Sequence, residues 1–430
     1  MSDQSKSTDQ TASRRVFLQR STTAAIGAGL AAGIVPAVHA AGSDTLKVGL
    51  IGAGSRGSGA ALQTLQADPN VELVAVGDVF QDRIDTSLSA LKKSKVADRV
   101  KVDKERQFLG FDAYQKVIDS GVDVVLLASP PHFRPKHLEY AIDQGKHVFA
   151  EKPVATDPTG VRSVMESCRK AKEKNLSVVS GLCWRYETGM QETIDKIHNG
   201  AIGDIVTAES TRFLRDLWSW PREPGQSDMQ WQVRNWYYFT WLSGDFIVEQ
   251  YVHDLDMIAW ALNEYPEKCY ATGGRIVRTE PKYGNIYDHF AVVYVFPSGA
   301  RFYAATRQET GTEPLYSNDL FGTKGKCDLM KYRITGENPW RRRAKRTVMH
   351  QLEHDEMYKA LRAGKPINNG DYMCKSTLMG IMGRESAYTG DTITWDEISN
   401  SKLKLGPKEY EWNASLPVEP VRIPGKTKLV

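Results

Sequence analysis

Six consecutive residues, Gly52-Ala53-Gly54-Ser55-Arg56-Gly57, have the composition and spacing to hold a pyrophosphate. They follow a short apolar run, 46–51, and precede a helical pattern over 60–65. In that setting each glycine has its own task. Gly52 permits a tight turn, Gly54 lets the backbone approach the anion, and Gly57 lets the helix pack close to the strand. Ser55 and Arg56 fill the loop between them, where the helix N-terminus offers unpaired amides to phosphate. Asp78 closes a second strand, 71–76, about twenty residues after the last glycine. Its carboxylate would accept hydrogen bonds from adenosine ribose hydroxyls and repel a 2′-phosphate. The expected cofactor is therefore NAD, with NADP disfavoured.

The elements that must position this loop continue the same alternation. A buried-type strand, 122–127, ends at Ala128-Ser129-Pro130-Pro131, and a helix over 134–144 follows. The strand 147–150 then ends in Glu151-Lys152-Pro153, and 177–182 reads as the last strand of the unit. Alternating strands and helices build a parallel, doubly wound sheet, a Rossmann domain spanning 45–182. Ligands of such sheets sit beyond the carboxyl ends of the strands, so Ser129, Pro130, Glu151 and Lys152 should face the cofactor.

With GAGSRG, the Asp78 strand end, ASPP, GKHVFAEKP and a later EQYVHDLD in hand, the chain resembles the Gfo/Idh/MocA oxidoreductase family over nearly its whole length after residue 45. The resemblance implies an α/β fold in which an N-terminal Rossmann domain is followed by an α/β domain with an open, mainly antiparallel sheet. That second domain would serve substrate binding and homo-oligomer contacts. It also implies that Lys152 contacts the substrate hydroxyl and the nicotinamide ribose. The family usually places an aspartate four residues before a histidine; here Glu249 precedes His253 at that spacing. Four residues is one helical turn, which puts both on one face. The longer glutamate arm could shift how a sugar is held. His253, titrating near neutrality, is the natural general base for removing a hydroxyl proton as hydride leaves carbon. A metal held by Glu249 and His253 lacks an obvious third ligand, so no metal is expected. Arg185 and Tyr186 stand near the domain junction, where the family places substrate or cofactor contacts, and Tyr251 and Asp256 flank His253. All four join the expected substrate set.

The second domain is expected over 183–400, with a helix at 190–199 and strands at 204–210, 270–277, 290–296 and 301–306. Between them lie Trp218, Trp220, Trp231, Trp236, Tyr237, Tyr238, Phe239 and Trp241. Indole faces stack on sugar rings, but the same rings would equally bury a loop or a subunit contact. Asp288-His289, before a strand, makes His289 a further pocket candidate. Helices at 350–363 and 376–389 should pack back on the Rossmann domain. The tail, 401–430, reads as extended and lying on a neighbouring subunit.

Composition narrows the partners. The chain of 430 residues has a formal charge of +4, and removing the first 41 residues leaves about +2. That excess is too weak to suggest a nucleic acid. The one dense basic run, 341–346, reads as a solvated loop or an oligomer contact. Five scattered cysteines without a CxxC pair read as buried small hydrophobes. The first 41 residues match a twin-arginine signal: Ser13-Arg14-Arg15-Val16-Phe17-Leu18, an Ala/Gly-rich stretch over 24–35, and small residues before a cut after Ala40. The stretch is too short and glycine-rich for a stable membrane anchor. The expected route is recognition by the twin-arginine export machinery, folded passage, and a periplasmic or other extracytoplasmic location.

Outside the cytoplasm free NAD is scarce, so the cofactor should be bound before export and regenerated in place. One way is hydride exchange between two sugar-like substrates. Another is transient oxidation within a glycoside, the logic of related NAD-dependent glycosidases. The intact Glu151-Lys152-Pro153 favours the first. A non-catalytic carbohydrate sensor that binds NAD is the third reading; the presence of Lys152 and His253 weighs against it.

Overall fold

The computed structural model describes residues 45–430; the twin-arginine motif and the expected cleavage point lie outside them. The first sheet is built from β1 (Leu46–Ile51), β2 (Val71–Asp78), β3 (Gln107–Leu109), β4 (Val124–Leu127), β5 (His147–Ala150) and β6 (Val178–Ser180). All its pairings are parallel and the spatial order is β3-β2-β1-β4-β5-β6. β4 is a run of four apolar residues, all buried, as a strand covered on both faces requires. The order reverses between β1 and β4, which opens a crevice at their carboxyl ends. Register then sets the height of everything around it. Ile51 pairs with both Gly77 and Leu127, and Leu127 pairs with Ala150, so the glycine loop, Asp78, Ser129 and Glu151 emerge at one level.

The second sheet joins β7 (Ile205–Leu214), β8 (Lys268–Gly274), β9 (His289–Val295), β10 (Arg301–Gln308), β11 (Leu315–Gly322), β12 (Gly325–Asp328), β13 (Arg333–Gly336), β14 (Trp340–Arg341) and β15 (Ile393–Thr394). Only β7 and β10 pair in parallel; the rest of the sheet is antiparallel. β10 shows the alternation that a half-buried strand needs, with Phe302, Ala304, Thr306 and Gln308 turned inward. Helices Val252–Leu262 and Gly370–Thr389 cover the inner face. The helix Met349–Arg362 returns to the first sheet and lies on helix Ser55–Ala67. There His354 Nδ1 meets Thr64 Oγ1 at 2.9 Å and Gln351 donates to the Gln63 carbonyl at 2.9 Å.

The structure corrects one expectation and adds detail to two others. The tail after residue 400 packs on its own chain. Trp412 stacks near Phe111 and Phe80, with ring centroids 4.8 and 5.4 Å apart, Tyr410 meets His132 at 2.7 Å, and Lys402 bonds back to the Val430 carbonyl. The basic run is largely exposed, as a solvated loop should be, and is tethered at two points: Arg342 pairs with Glu192, and Arg346 lies over the rings of Trp184 and Tyr332. Glu249 and His253 do not share one helix. A short helix, Phe246–Glu249, ends before helix Val252–Leu262 begins, and the chain turns at Gln250 and Tyr251. The five cysteines are free and buried, and no helix among the described residues is long and apolar enough to cross a membrane.

Candidate active site

The crevice at the strand ends is the mouth of a cleft of about 660 Å³ between the two sheets, within the usual range for cofactor and small-molecule sites, about 300–1,000 Å³. Its floor is the glycine loop. Gly52 has φ +93°, and a Cβ there would lie 2.4 Å from the Ser129 amide nitrogen. A Cβ on Gly57 would lie 1.9 Å from the Gly52 carbonyl oxygen, so only glycine permits this approach of helix to strand. Gly54, at the N-cap of helix Ser55–Ala67, would meet nothing within 4 Å. That open space over exposed amides is what an incoming pyrophosphate requires, and the loop therefore fits the dinucleotide it resembles a holder for. Arg56 makes an ion pair with Glu151 at 2.8 Å, which ties the loop to the end of β5.

Asp78 lines the cleft and carries more than one task. One carboxylate oxygen accepts from the Ala53 amide at 2.6 Å, the other from the Phe80 amide at 2.9 Å. It thus staples the glycine loop to β2 while leaving lone pairs for a diol. Burial pushes its pKa up, against the pull of those amides.

At the other end of the cleft Lys152, Glu249 and His253 come together. The Lys152 ammonium donates to the Glu249 side chain at 2.7 Å and to the Glu249 main-chain carbonyl at 2.6 Å. Lysine carries three N–H donors, so one remains. The second Glu249 oxygen is buried without a partner, as is His253 Nδ1. His253 is held well below its ordinary pKa by burial, then by the charges of Lys152, Arg212 and His350. The shift favours the neutral imidazole with an open Nδ1 and overturns the expected titration near neutrality, so His253 is a weaker base here than the free side chain. Glu249 engages Lys152 and leaves His253 unclamped, so the longer acid orients the cation.

Other expected contacts are drawn elsewhere. Arg185 makes a bidentate pair with Asp256 at 2.8 and 2.9 Å, and Ser376 also donates to Asp256, so these residues lock the turn at 183–186 to helix Val252–Leu262. Tyr186 donates to Asn369, and the fully buried Tyr251 donates to the Ser210 carbonyl. His289 bonds Asp288, whose carboxylate also receives the amides of Ile276, Val277 and Arg278. None of Arg185, Tyr186, Tyr251, Asp256 or His289 lines the cleft. Pro130 and Ser129 do, the latter held by His137 at 3.2 Å.

The aromatic insertion divides. Trp231, Tyr238, Phe239 and Trp241 are buried away from the cleft, while Trp218, Trp220, Trp236 and the buried Tyr237 line it. Sequence reasoning missed Arg134, Arg212, Gln250 and His350, which line it too. Arg212 projects from β7 onto Asp254 at 2.8 Å, a pairing no local spacing announces. Among the described residues two groups could offer a metal three ligand atoms within 4.8 Å: Cys183, His350 and Glu353 near the cleft, and Asp288, His289 and Glu309 outside it.

Residues 46–180 match the family described as "Oxidoreductase family, NAD-binding Rossmann fold", and 190–328 match the "GFO/IDH/MocA C-terminal domain". A 2,7-anhydro-N-acetylneuraminate hydratase of Escherichia coli is 24% identical over 59% of this chain and 64% of its own length, just under two thirds. A myo-inositol 2-dehydrogenase of Thermotoga maritima is 24% identical over 65% of this chain and 74% of its own. Among solved structures, an aldose-aldose oxidoreductase of Caulobacter crescentus superposes with a TM-score of 0.63 at 18% identity, covering 81% of this chain and 99% of that one. At that identity the likeness is one of fold.

Proposed function

The chain belongs to the Gfo/Idh/MocA oxidoreductase family, and from that premise we propose that it transfers hydride between a CH–OH group of a sugar or glycoside and a tightly held NAD. The observation that carries this reading is the triad at the inner end of the cleft: Lys152 with one free donor, Glu249 fixing it, and His253 neutral with an open nitrogen. The cofactor supplies hydride acceptance when bound; the protein supplies the rest. Gly52, Gly54 and Gly57 with the amides of Ser55 and Arg56 would hold the pyrophosphate, and Asp78 would hold the adenosine ribose. The free N–H of Lys152 points its charge at the substrate hydroxyl and stabilises the alkoxide as it forms. His253 takes the hydroxyl proton. Glu249 keeps the ammonium from turning away. Relatives named for inositol dehydrogenation support a polyol-like substrate.

Preference for NAD over NADP follows from Asp78, which would lie against a 2′-phosphate. Export by the twin-arginine route, an extracytoplasmic location and regeneration of the cofactor in place belong to the same reading. Export and location rest on the motif at 13–18, and regeneration in place follows from the scarcity of free NAD outside the cytoplasm. Purification without added nucleotide, denaturation and mass spectrometry of the released small molecules tests it. Stoichiometric NAD or NADH is the expected result. NADP would overturn the role given to Asp78, and an empty protein unable to bind added nucleotide would overturn the whole reading.

A further inference from the structure

Two tryptophans at the cleft mouth stand out against the rest of the insertion. Trp218 is 43% exposed and Trp220 is 46% exposed, although neighbouring rings of the same segment are buried. Their backbone is nevertheless held from below. The Leu217 carbonyl accepts from the Tyr238 hydroxyl, the Trp220 amide donates to Asn235, and the Trp220 carbonyl accepts from the Trp231 indole. The segment is thus fixed by buried groups while both indoles face the cleft, and neither indole N–H finds an acceptor among the described residues. Trp218 continues inward to Trp236 and Tyr237, with ring centroids 6.0 and 6.2 Å away, and Tyr237 lines the cleft with Glu249 and Lys152.

Leaving two large apolar rings in water costs hydrophobic free energy that a folded chain ordinarily recovers by burial. An aromatic face beside unpaired N–H donors fits a ligand that is apolar on its ring face and rich in hydroxyls at its edge. A pyranose is such a ligand.

We propose that Trp218 and Trp220 form a second sugar-binding subsite, so that the substrate is a glycoside or disaccharide whose reacting ring lies at Lys152 and His253 and whose next ring stacks at the mouth. This rests on the hydride-transfer reading above and adds the class of substrate to it. The inner residues hold the ring that reacts; the outer pair holds the ring that does not. Binding energy from the outer ring then positions the inner one.

The test uses the purified, cofactor-loaded protein with glucose, galactose and N-acetylglucosamine against cellobiose, maltose, lactose and chitobiose. Reduction of the bound NAD is followed by its absorbance in a single turnover, whose dependence on sugar concentration gives kcat and KM for the hydride step, and binding is read separately by calorimetry. At least one disaccharide should exceed its monosaccharide in kcat/KM. Trp218→Ala should raise the KM for that disaccharide about tenfold with less change in kcat, so that the preference collapses. Trp218→Phe, which keeps an aromatic face, should retain part of it, and Trp220→Ala gives an independent check should Trp218→Ala not fold. Equal handling of mono- and disaccharides by the parent protein, or equal losses on both in the variants, would overturn the subsite. Disaccharide binding that depends on Trp218 but yields no turnover would uphold the subsite and overturn the hydride-transfer reading instead.

Discussion

Replacing Arg234 with alanine should shorten the time the cofactor stays bound. Arg234 lies on helix Asp228–Arg234 of the insertion and reaches across the cleft rim to Asp82, at the start of helix Gln81–Lys92. Both guanidinium nitrogens sit 2.8 Å from the carboxylate, which that pairing holds below its ordinary pKa, and the guanidinium lies 3.8 Å from the Phe80 ring centroid. Phe80 and Arg234 both line the cleft, so the pair closes it over the adenosine end. Asp82 is largely exposed, which limits the ion pair to about 0.5–1 kcal/mol. The ring contact adds about 0.5–1 kcal/mol. Together they amount to roughly 1–2 kcal/mol, or about 5- to 30-fold in affinity, expressed mainly as faster release. Loss of NADH fluorescence on dilution into a competing nucleotide measures this directly. Asp82→Asn, which keeps the ring contact, should produce a smaller change. Should the Arg234→Ala protein release NADH within twofold of the parent rate while melting normally, the closure argument is wrong.

Lys152→Ala should lower kcat by about 100-fold or more, since it removes the cation that stabilises the forming alkoxide, while the protein still purifies with its cofactor. Asp78→Ala should weaken NAD binding by about tenfold and narrow the preference against NADP; the loss has two sources, because the Ala53 and Phe80 amides lose their acceptor as well. Stability should fall as the medium is acidified below pH 6.5. His137, buried beside Ser129 and Tyr114, has its pKa lowered to about 3, so the unfolded chain binds a proton between those values that the folded chain refuses. Each such histidine withdraws about 1.4 kcal/mol per pH unit. His253 and His354 shift in the same direction, while Asp245, raised to about 6 by burial, opposes them in part because the folded chain gains its proton first. Melting temperatures from pH 7 down to 5 check the sign. Exhaustive treatment with a chelator should leave turnover unchanged, because Lys152 supplies the polarising charge; loss of activity restored by zinc would point to Cys183, His350 and Glu353.

Much of the Rossmann half was legible because its signals are local. The glycines at 52, 54 and 57 must be glycine for reasons within a few residues of themselves, and β5 falls on the four residues expected, 147–150. The second sheet was read over β7 to β10, each seven residues or longer, while β11 escaped although it spans eight. β12 to β15 are two to four residues long, too short to carry a period. Site residues divide in the same way. Lys152 and His253 are delivered by motifs, whereas Arg212 becomes part of the cleft through a strand pairing that spans the chain. Arg185 and Asp256 stand close to the domain junction in sequence terms, but each satisfies the other's charge, and a buried pair so matched has little left for a ligand. The aromatic insertion could not be resolved from composition alone, since a tryptophan facing a cleft and one facing a core look the same in a sequence.

The tail after residue 400 ties one wall of the cleft to a distant part of the chain. Tyr410 and Trp412 complete the aromatic cluster with Phe80, Phe111 and Phe133, three rings that line the cleft. Phe80 and Phe111 follow the carboxyl ends of β2 and β3, so the tail braces from behind the loops that Asp78 and the glycine turn share. A change that loosens the tail is therefore felt as a softer cleft wall, although no tail residue needs to touch a ligand.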